Sequence, residues 1–327
     1  MTTCIRLKLV CNSDCTDPAY NLALEEYCVR NLDLSSEQYL LIYINNPCVV
    51  IGKHQNVFAE CNTSYLRQKS VPIIRRISGG GAVYHDRGNI NFSYIRKFSD
   101  REINNYSEFT RPVLKTLFDV GVNCRLNERN NILIGDKKIS GNAQFSNMRV
   151  MFSHGTLLFE SDLDEIKRSL RVKEQLIESK HVKSVISNVT NIREHVSVEI
   201  DLMSFLTMLK KNILGNSYDE FRLSEVIKRE VELLAKTKYR SSTWNYLACP
   251  DFKMMRNFHS GNIGIKYFVA VEKGIVREMS FETSDGRFIN FEKMIGIEYL
   301  YNNIVTLFST DNPVNGISAV ELADKVY

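Results

Sequence analysis

Apolar and polar residues alternate in "IRLKLV", residues 5–10. That period of two marks a half-buried strand, because successive side chains point to opposite faces. The pattern changes at "TDPAYNLALEEYCVRN". Thr16 or Asp17 supplies a helix cap, Pro18 sits in the first turn, and Tyr20, Leu24, Tyr27 and Cys28 fall on one helical face. "YLLIYINNPCVVIG" holds two short β-type runs broken by Asn45-Asn46-Pro47, a hairpin or turn signal. "VPIIRRI" predicts a strand entering a run of glycines and "NINFSYI" a strand leaving it. A helix is predicted over 105–119, with Phe109, Val113 and Leu117 on one face and Gly121 as its stop. Pro112 shifts its first turn toward Arg111, since proline cannot donate to the preceding turn. "NILIGDKKIS" and "RVMFSHGTLLFE" read as strands. From 162 to about 236, charged and apolar residues mix at helical spacing, as in "SDLDEIKRSL" and "DLMSFLTMLKKNIL". After "TWNYLACPDF" short strands return in "NIGIKYFVAVEKGIVREMSF", which places a domain boundary near 240–252.

Composition narrows the class. The 327 residues suffice for one large domain or a large one with a small one. With 44% hydrophobic and 24% charged residues the chain reads as an ordinary globular protein. Lys and Arg exceed Asp and Glu by 42 to 38. That bias is too mild to argue for nucleic acid, though it suits an acidic protein substrate. The eight cysteines, at 4, 11, 15, 28, 48, 61, 124 and 249, form no Cys-x-x-Cys pair, and Cys11 and Cys15 stand one residue too far apart for the common zinc spacing. Free thiols in a reducing compartment are expected. The charged N-terminal stretch does not read as a secretory signal, and no window approaches the ~20 apolar residues of a membrane span.

The candidate chemistry gathers at "RRISGGGAVYHDRGN", residues 75–89. Three consecutive glycines cost order on folding, roughly 0.5–1 kcal/mol each relative to alanine in regular structure. Walker A is excluded because Gly52-Lys53 is followed by His54, and the dinucleotide fingerprint because Tyr84 stands where its sixth-position glycine would be. What remains is a loop whose N–H groups, from Gly79 to Gly81, can line up on an anion beside an arginine fork; the plainer alternative is a hairpin turn with solvated arginines. "GDKKISGNAQ", residues 135–144, puts two lysines in a strand-like context, so only one of Lys137 and Lys138 can face a pocket. "SHGTLLFE" puts His154 at a strand start, where a purely structural histidine is the alternative.

In this order and spacing, "RRISGGGAVYHDRGN", "GDKKISGNAQ" and "HGTLL" resemble the lipoate–protein ligase family. "PAYNLALEEY", "VVIGKHQNVFAECN" and "SNVTNI" (187–192) support the resemblance, and "STWNYLACPDF" and "VEKGIV" are similar to the junction and accessory domain of its longer, bacterial-type members. The implied fold is α/β (α+β), similar to biotin ligases and class II tRNA synthetases: a mixed, mostly antiparallel sheet flanked by helices. It would comprise a catalytic domain over 1–245 and a small α+β accessory domain over 250–327. The implied reaction activates lipoate with ATP to lipoyl-AMP, then acylates one lysine on apo lipoyl domains of 2-oxoacid dehydrogenase E2 subunits and of the glycine cleavage H protein. ATP and Mg²⁺ are the implied cofactors. Neither nucleic acid nor membrane is expected as a partner, and the place of action would be the cytoplasm, or the mitochondrial matrix in a eukaryote.

By the same resemblance Lys138 is the catalytic lysine, bridging phosphate and carbonyl oxygens. Arg76, Gly81, Ala82, Val83 and Tyr84 would contact the nucleotide with it. Gly79, Gly80, His85 and His154, again with Lys138, would line the lipoate site; no metal ligands are assigned. The lipoyl tail needs an apolar slot, whose four methylenes contribute about 3 kcal/mol if buried, and "VVIG" and "GAVYH" are candidate walls. The chain departs from the family pattern at Asn131, where an aspartate is common, at Ile186 and Asn188, where arginines are common, and at Leu247, where glycine is common. Competing readings are an acyltransferase of the same fold working through a cysteine thioester, a transferase using preformed lipoyl-AMP without ATP, and a non-catalytic lipoyl-domain-binding protein. The first lacks a thiol between Cys124 and Cys249. The intact Lys138 and triple glycine speak against the last.

Overall fold

The computed structural model describes the whole chain except residues 1–5, 101, 102, 104, 171–175 and 186, so Cys4 and Ile186 lie outside the described residues. A six-stranded sheet forms the centre, in the order Asn142–Ser146, Val150–Leu158, Asn89–Lys97, Glu37–Ile44, Arg6–Cys11, Asp219–Arg222. Only Arg6–Cys11 pairs in parallel, with both of its neighbours. On one face lie the helices Pro18–Asn31 and Glu225–Leu234, joined to the sheet through a core that includes Leu24, Tyr43 and Phe152. On the other lie Tyr106–Asp119 and Leu202–Leu214, packed on Leu40, Phe92 and Leu157. This is the expected mixed α/β fold with mostly antiparallel pairing and flanking helices.

Several elements differ from the sequence reading. Pro18–Asn31 is capped by Asp17, as expected, but it is buried almost all round: Asn21, Glu25 and Glu26 are buried while Tyr20 and Tyr27 are half-exposed. One-sided amphipathicity fails there because the helix is covered by the turns 235–247 as well as by the sheet. Asn45-Asn46-Pro47 is not a hairpin. It carries the chain from the central sheet into a second sheet of three strands, Ile73–Arg75, Cys48–Ile51 and Val83–His85. The glycine loop therefore joins Ile73–Arg75 to Val83–His85, and Asn89–Lys97 follows only after a further turn. Pro112 lies inside the helix Tyr106–Asp119 rather than at its start. The carbonyl that loses its helical donor belongs to Glu108, an exposed residue that water can serve. Short strands, Leu176–Ser179 and Asp219–Arg222, interrupt the region read as helical.

The three-stranded sheet is buried on both faces, and its period of two sorts side chains between two cores. Cys48, Val50 and Ile74 face the central sheet, whereas Val49, Ile51, Ile73 and Tyr84 face the C-terminal part of the chain. That part is an antiparallel sheet of Leu176–Ser179, Phe252–Ser260, Ile263–Glu272, Ile275–Thr283 and Phe288–Asn290, with the helices Tyr301–Thr310 and Ala319–Val326 against it. One of its strands comes from before residue 245, so a single core runs from the glycine-loop sheet into the C-terminal helices. Leu247 packs on Gly274, whose φ of +77° and close approach leave no room for a side chain.

Candidate active site

Arg75 ends the strand Ile73–Arg75, and Arg76, the next residue, points to the opposite side. Neither is solvated. Arg75 is completely buried and donates to the carbonyls of Gly52, Lys53 and Gln55 and to those of Trp244 and Asn245, with the Cys249 thiol at 3.1 Å from Nη2. It thereby fixes the turn 52–55, on which the glycine loop rests: Lys53 N–H donates to Ser78 O, and a Cβ on Gly52 would stand 2.2 Å from Gly80 O. Arg76 holds the loop from the other side. Its guanidinium donates to Gly79 O, Gly81 O and Val50 O and to the Ser78 hydroxyl. Burial lowers its pKa to about 10.

Around this loop opens a cleft of about 290 Å³. Gly80, Gly81, Ala82 and Val83 line it, with Arg76, His85, Lys138 and His154. The cleft thus gathers eight of the ten residues expected at the site. Gly79 stands outside it, and the Tyr84 side chain points into the C-terminal core. Of the two lysines, Lys138 faces the cleft and is buried enough that its pKa is lowered, with Arg76 adding repulsion, while Lys137 is exposed on the hairpin Ile132–Ser140. Lys138 is seated by backbone pairing: its N–H donates to Asn188 O and its carbonyl accepts from Thr190 N–H. Gly141 leaves room for the ammonium, since a Cβ there would lie 2.9 Å from Nζ. Of the candidate slot walls, Val50 and Val83 line the cleft with Leu22, whereas Val49 and Ile51 face away.

Both histidines are neutral. Burial, then the charge of Arg76, lowers the His85 pKa to about 3 and puts His154 well below the ordinary imidazole value. A relay of amides orients His85: Asn12 donates to Asn21, Asn21 to Asn45, and Asn45 Nδ2 to His85 Nδ1 at 3.1 Å. The ring proton then sits on Nε2, which is buried and has no hydrogen-bond partner among the described residues. It is a donor waiting for a ligand oxygen. His154 Nε2 meets the Ser78 hydroxyl at 2.7 Å, tying it to the loop rather than leaving it free for proton transfer.

Other lining residues escaped the sequence reading. Glu25, Tyr43, Asn91 and Ser93 form a polar floor. Glu25 accepts from the Tyr43 and Ser93 hydroxyls, and burial raises its pKa to about 7. The available signal was a carboxylate in the middle of "NLALEEY", on a helix with few exposed positions. Ser184 arrives from a distant segment with no local signal: its hydroxyl accepts from Ala82 N–H and Gln55 Nε2, both at 3.0 Å, while its own N–H donates to Glu60. Arg129, Asn131 and Lys183 complete the edge. Among the described residues no three His, Cys, Asp or Glu side chains gather as metal ligands, and Glu25 is the only carboxyl lining the cleft. No cysteine among the described residues lines it.

Comparison with known proteins agrees with this geometry. Residues 17–214 match the family of the lipoyl protein ligase A/B catalytic domain. The chain is 41% identical over 266 residues to lipoate–protein ligase 1 of Staphylococcus aureus, covering 80% of this chain and 81% of that one. A putative lipoate protein ligase from T. acidophilum, solved with bound lipoic acid, superposes with a TM-score of 0.62 at 25% identity, over 74% of this chain and 98% of that one. A lipoate–protein ligase A bound with ATP gives 0.61 at 25% identity over the same shares. Among the described residues no helix is long and apolar enough to cross a membrane.

Proposed function

The chain belongs to the lipoate–protein ligase family, and on that footing we propose that its cleft joins lipoate to AMP from ATP and then passes the lipoyl group to a lysine of a lipoyl domain. A carboxylate is a poor electrophile. Adenylation converts it to a mixed anhydride with a good leaving group, and the enzyme's part is positioning and charge neutralisation. The observation that carries this reading is the charge of the cleft: Arg76, Arg129, Lys138 and Lys183 line it against one carboxyl, Glu25, which burial holds toward its neutral form.

In this reading the lipoyl tail lies along Leu22, Val50 and Val83 above the Glu25 floor, with its carboxylate toward Lys138 and the unpartnered His85 Nε2. The carboxylate oxygen bonds to the α-phosphorus, and the Pα–O bond to diphosphate breaks with its electron pair leaving on diphosphate. Lys138 stays protonated and bridges the phosphate and carbonyl oxygens as negative charge grows there. The acceptor lysine amine then attacks the acyl carbon, an amide forms, AMP departs and the amine gives up its proton. Arg76 acts by shaping the loop, because its guanidinium is already committed to carbonyls and the Ser78 hydroxyl. Gly81 and Ala82 offer backbone to the adenylate once the Ser184 hydroxyl releases the Ala82 N–H. Among the described residues Glu25 is the one carboxyl that lines the cleft, so Mg²⁺ would enter with the nucleotide as part of the substrate. A route through a cysteine thioester has no thiol among the described residues that line the cleft. The proposed acceptors are lipoyl domains of 2-oxoacid dehydrogenases and the H protein, met in a cytoplasmic or matrix compartment. We assign catalysis to residues 1–245 and an accessory role to 250–327.

The test is pyrophosphate release by the purified protein with ATP, Mg²⁺ and lipoate, without and then with an apo lipoyl domain. Lipoate-dependent release followed by a mass gain on the domain lysine is the expected result. If supplied lipoyl-AMP labels the domain while no pyrophosphate forms, the protein is a transferase.

A further inference from the structure

Two of the four cleft cations are already assigned. Arg76 spends its fork on the glycine loop, and Lys138 lies half-buried beside Gly141. The other two, Arg129 and Lys183, are exposed, and among the described residues neither side chain makes an ion pair or hydrogen bond. Each is held by its backbone. Arg129 sits on the turn 127–131, which the Asn127 side chain caps by accepting from Arg129 N–H and Asn131 N–H; Asn142 Nδ2 ties the turn to the strand Asn142–Ser146 through Asn130 O at 2.7 Å. Lys183 lies between Val182, whose carbonyl accepts from Gln55 Nε2, and Ser184, which is bonded to Ala82, Gln55 and Glu60. Two pinned segments thus present two unpaired basic side chains at the edge of the cleft that Lys138 also lines. Among the described residues that line the cleft, no carboxyl but Glu25 is present to neutralise them.

We propose that Arg129 and Lys183 grip the diphosphate of the nucleotide as it leaves, and so serve the adenylation half-reaction specifically. This rests on the adenylate reading above. The diphosphate carries the electron pair of the broken Pα–O bond, so its charge rises in the transition state, where basic side chains already placed at the edge stabilise it. By the time the acceptor lysine attacks, that group has gone, and the two side chains have no remaining partner in the reaction.

Two measurements test this on Lys183→Gln, Arg129→Gln and the double variant. The first is calorimetric binding of inorganic pyrophosphate, which needs no turnover; each single change is expected to weaken it at least fivefold and the double change more. The second compares lipoate-dependent pyrophosphate formation with transfer from supplied lipoyl-AMP. Formation is expected to fall at least tenfold while transfer shifts by less than twofold, and Lys183→Arg should restore formation. Unaltered pyrophosphate binding in the double variant would overturn the proposal. So would equal losses in both half-reactions, which would mark the side chains as structural. If the unaltered protein forms no pyrophosphate yet binds it through these residues, the adenylation reading fails and the anion site stands.

Discussion

The triple glycine makes a prediction in which adjacent residues of one motif part company. Gly80 has φ +90°, in the region L side chains rarely adopt, and its Cβ would stand 2.8 Å from Arg76 Nη2. That nitrogen donates to Gly79 O at 2.5 Å and Gly81 O at 2.9 Å, so it cannot retreat without stretching a charged hydrogen bond. Gly80→Ala therefore combines backbone strain of about 1–3 kcal/mol with a share of a charged hydrogen bond worth about 1.5–3 kcal/mol. A loss of roughly 2–4 kcal/mol corresponds, for a chain of this length, to a fall of about 3–6 °C in Tm. Gly79 lacks both features: its φ lies outside the left-handed region, and its Cβ would meet nothing within 4 Å. Gly79→Ala should leave Tm unchanged or raise it slightly, since alanine there removes about 0.4–1 kcal/mol of unfolded-chain freedom. Thermal denaturation and lipoate-dependent pyrophosphate release, run on both variants, check the argument. Release should fall ~10–100-fold in Gly80→Ala and stay within about threefold in Gly79→Ala, as displacements near 1 Å carry penalties of that size. Equal behaviour of the two variants would refute it.

Other expectations follow from the same geometry. Gly52→Ala puts a methyl 2.2 Å from Gly80 O, so the loop must move by about 1 Å; overpacking of about 1–3 kcal/mol and a drop in adenylation should appear together, seen by melting and by pyrophosphate release. Lys138→Ala should cut adenylation by about 10²–10³ with no fall in Tm, because it removes a desolvated ammonium. The Glu25 pKa is raised from 4.5 to about 7. As pH rises, the unfolded chain loses that proton first, so stability from this group is full below about pH 4.5 and declines until about pH 7. Glu25→Gln should flatten the fall of Tm between pH 5 and 8, as followed by scanning calorimetry, and a fall as steep as that of the unaltered protein would remove Glu25 from the account.

How much of this was legible depended on range. The strand Arg6–Cys11 and the Asp17 cap were readable because their signals are local. Alternation in a strand likewise allowed only one of Lys137 and Lys138 to face inward, and the family resemblance named Lys138 as that one. Val83–His85 was not, being a strand of three residues whose partner lies 35 positions upstream at Cys48–Ile51. Tyr84 was placed at the nucleotide by the family resemblance, but the alternation that turns the Val83 side chain into the cleft turns the Tyr84 side chain out of it. Arg76 was read as an anion fork, and the competition it loses is with three nearby carbonyls, which sequence order does not disclose. Ser184 sits 102 residues from the N–H it caps.

Arg75 has a consequence for how freely this sequence can vary. Its fork is filled by main-chain carbonyls of residues 52, 53, 55, 244 and 245, and a carbonyl is the one part of a residue that substitution does not remove. The carbonyl side of this grip therefore survives a change of side chain, while the close approach of Gly52 to Gly80 O and the bonds of the Trp244 and Asn245 side chains to the Arg75 main chain constrain those three positions separately. The constraint gathers at position 75 itself: lysine there would bring one ammonium to a buried cluster of acceptors that a planar guanidinium now serves. One residue thus ties together two stretches of chain almost two hundred positions apart.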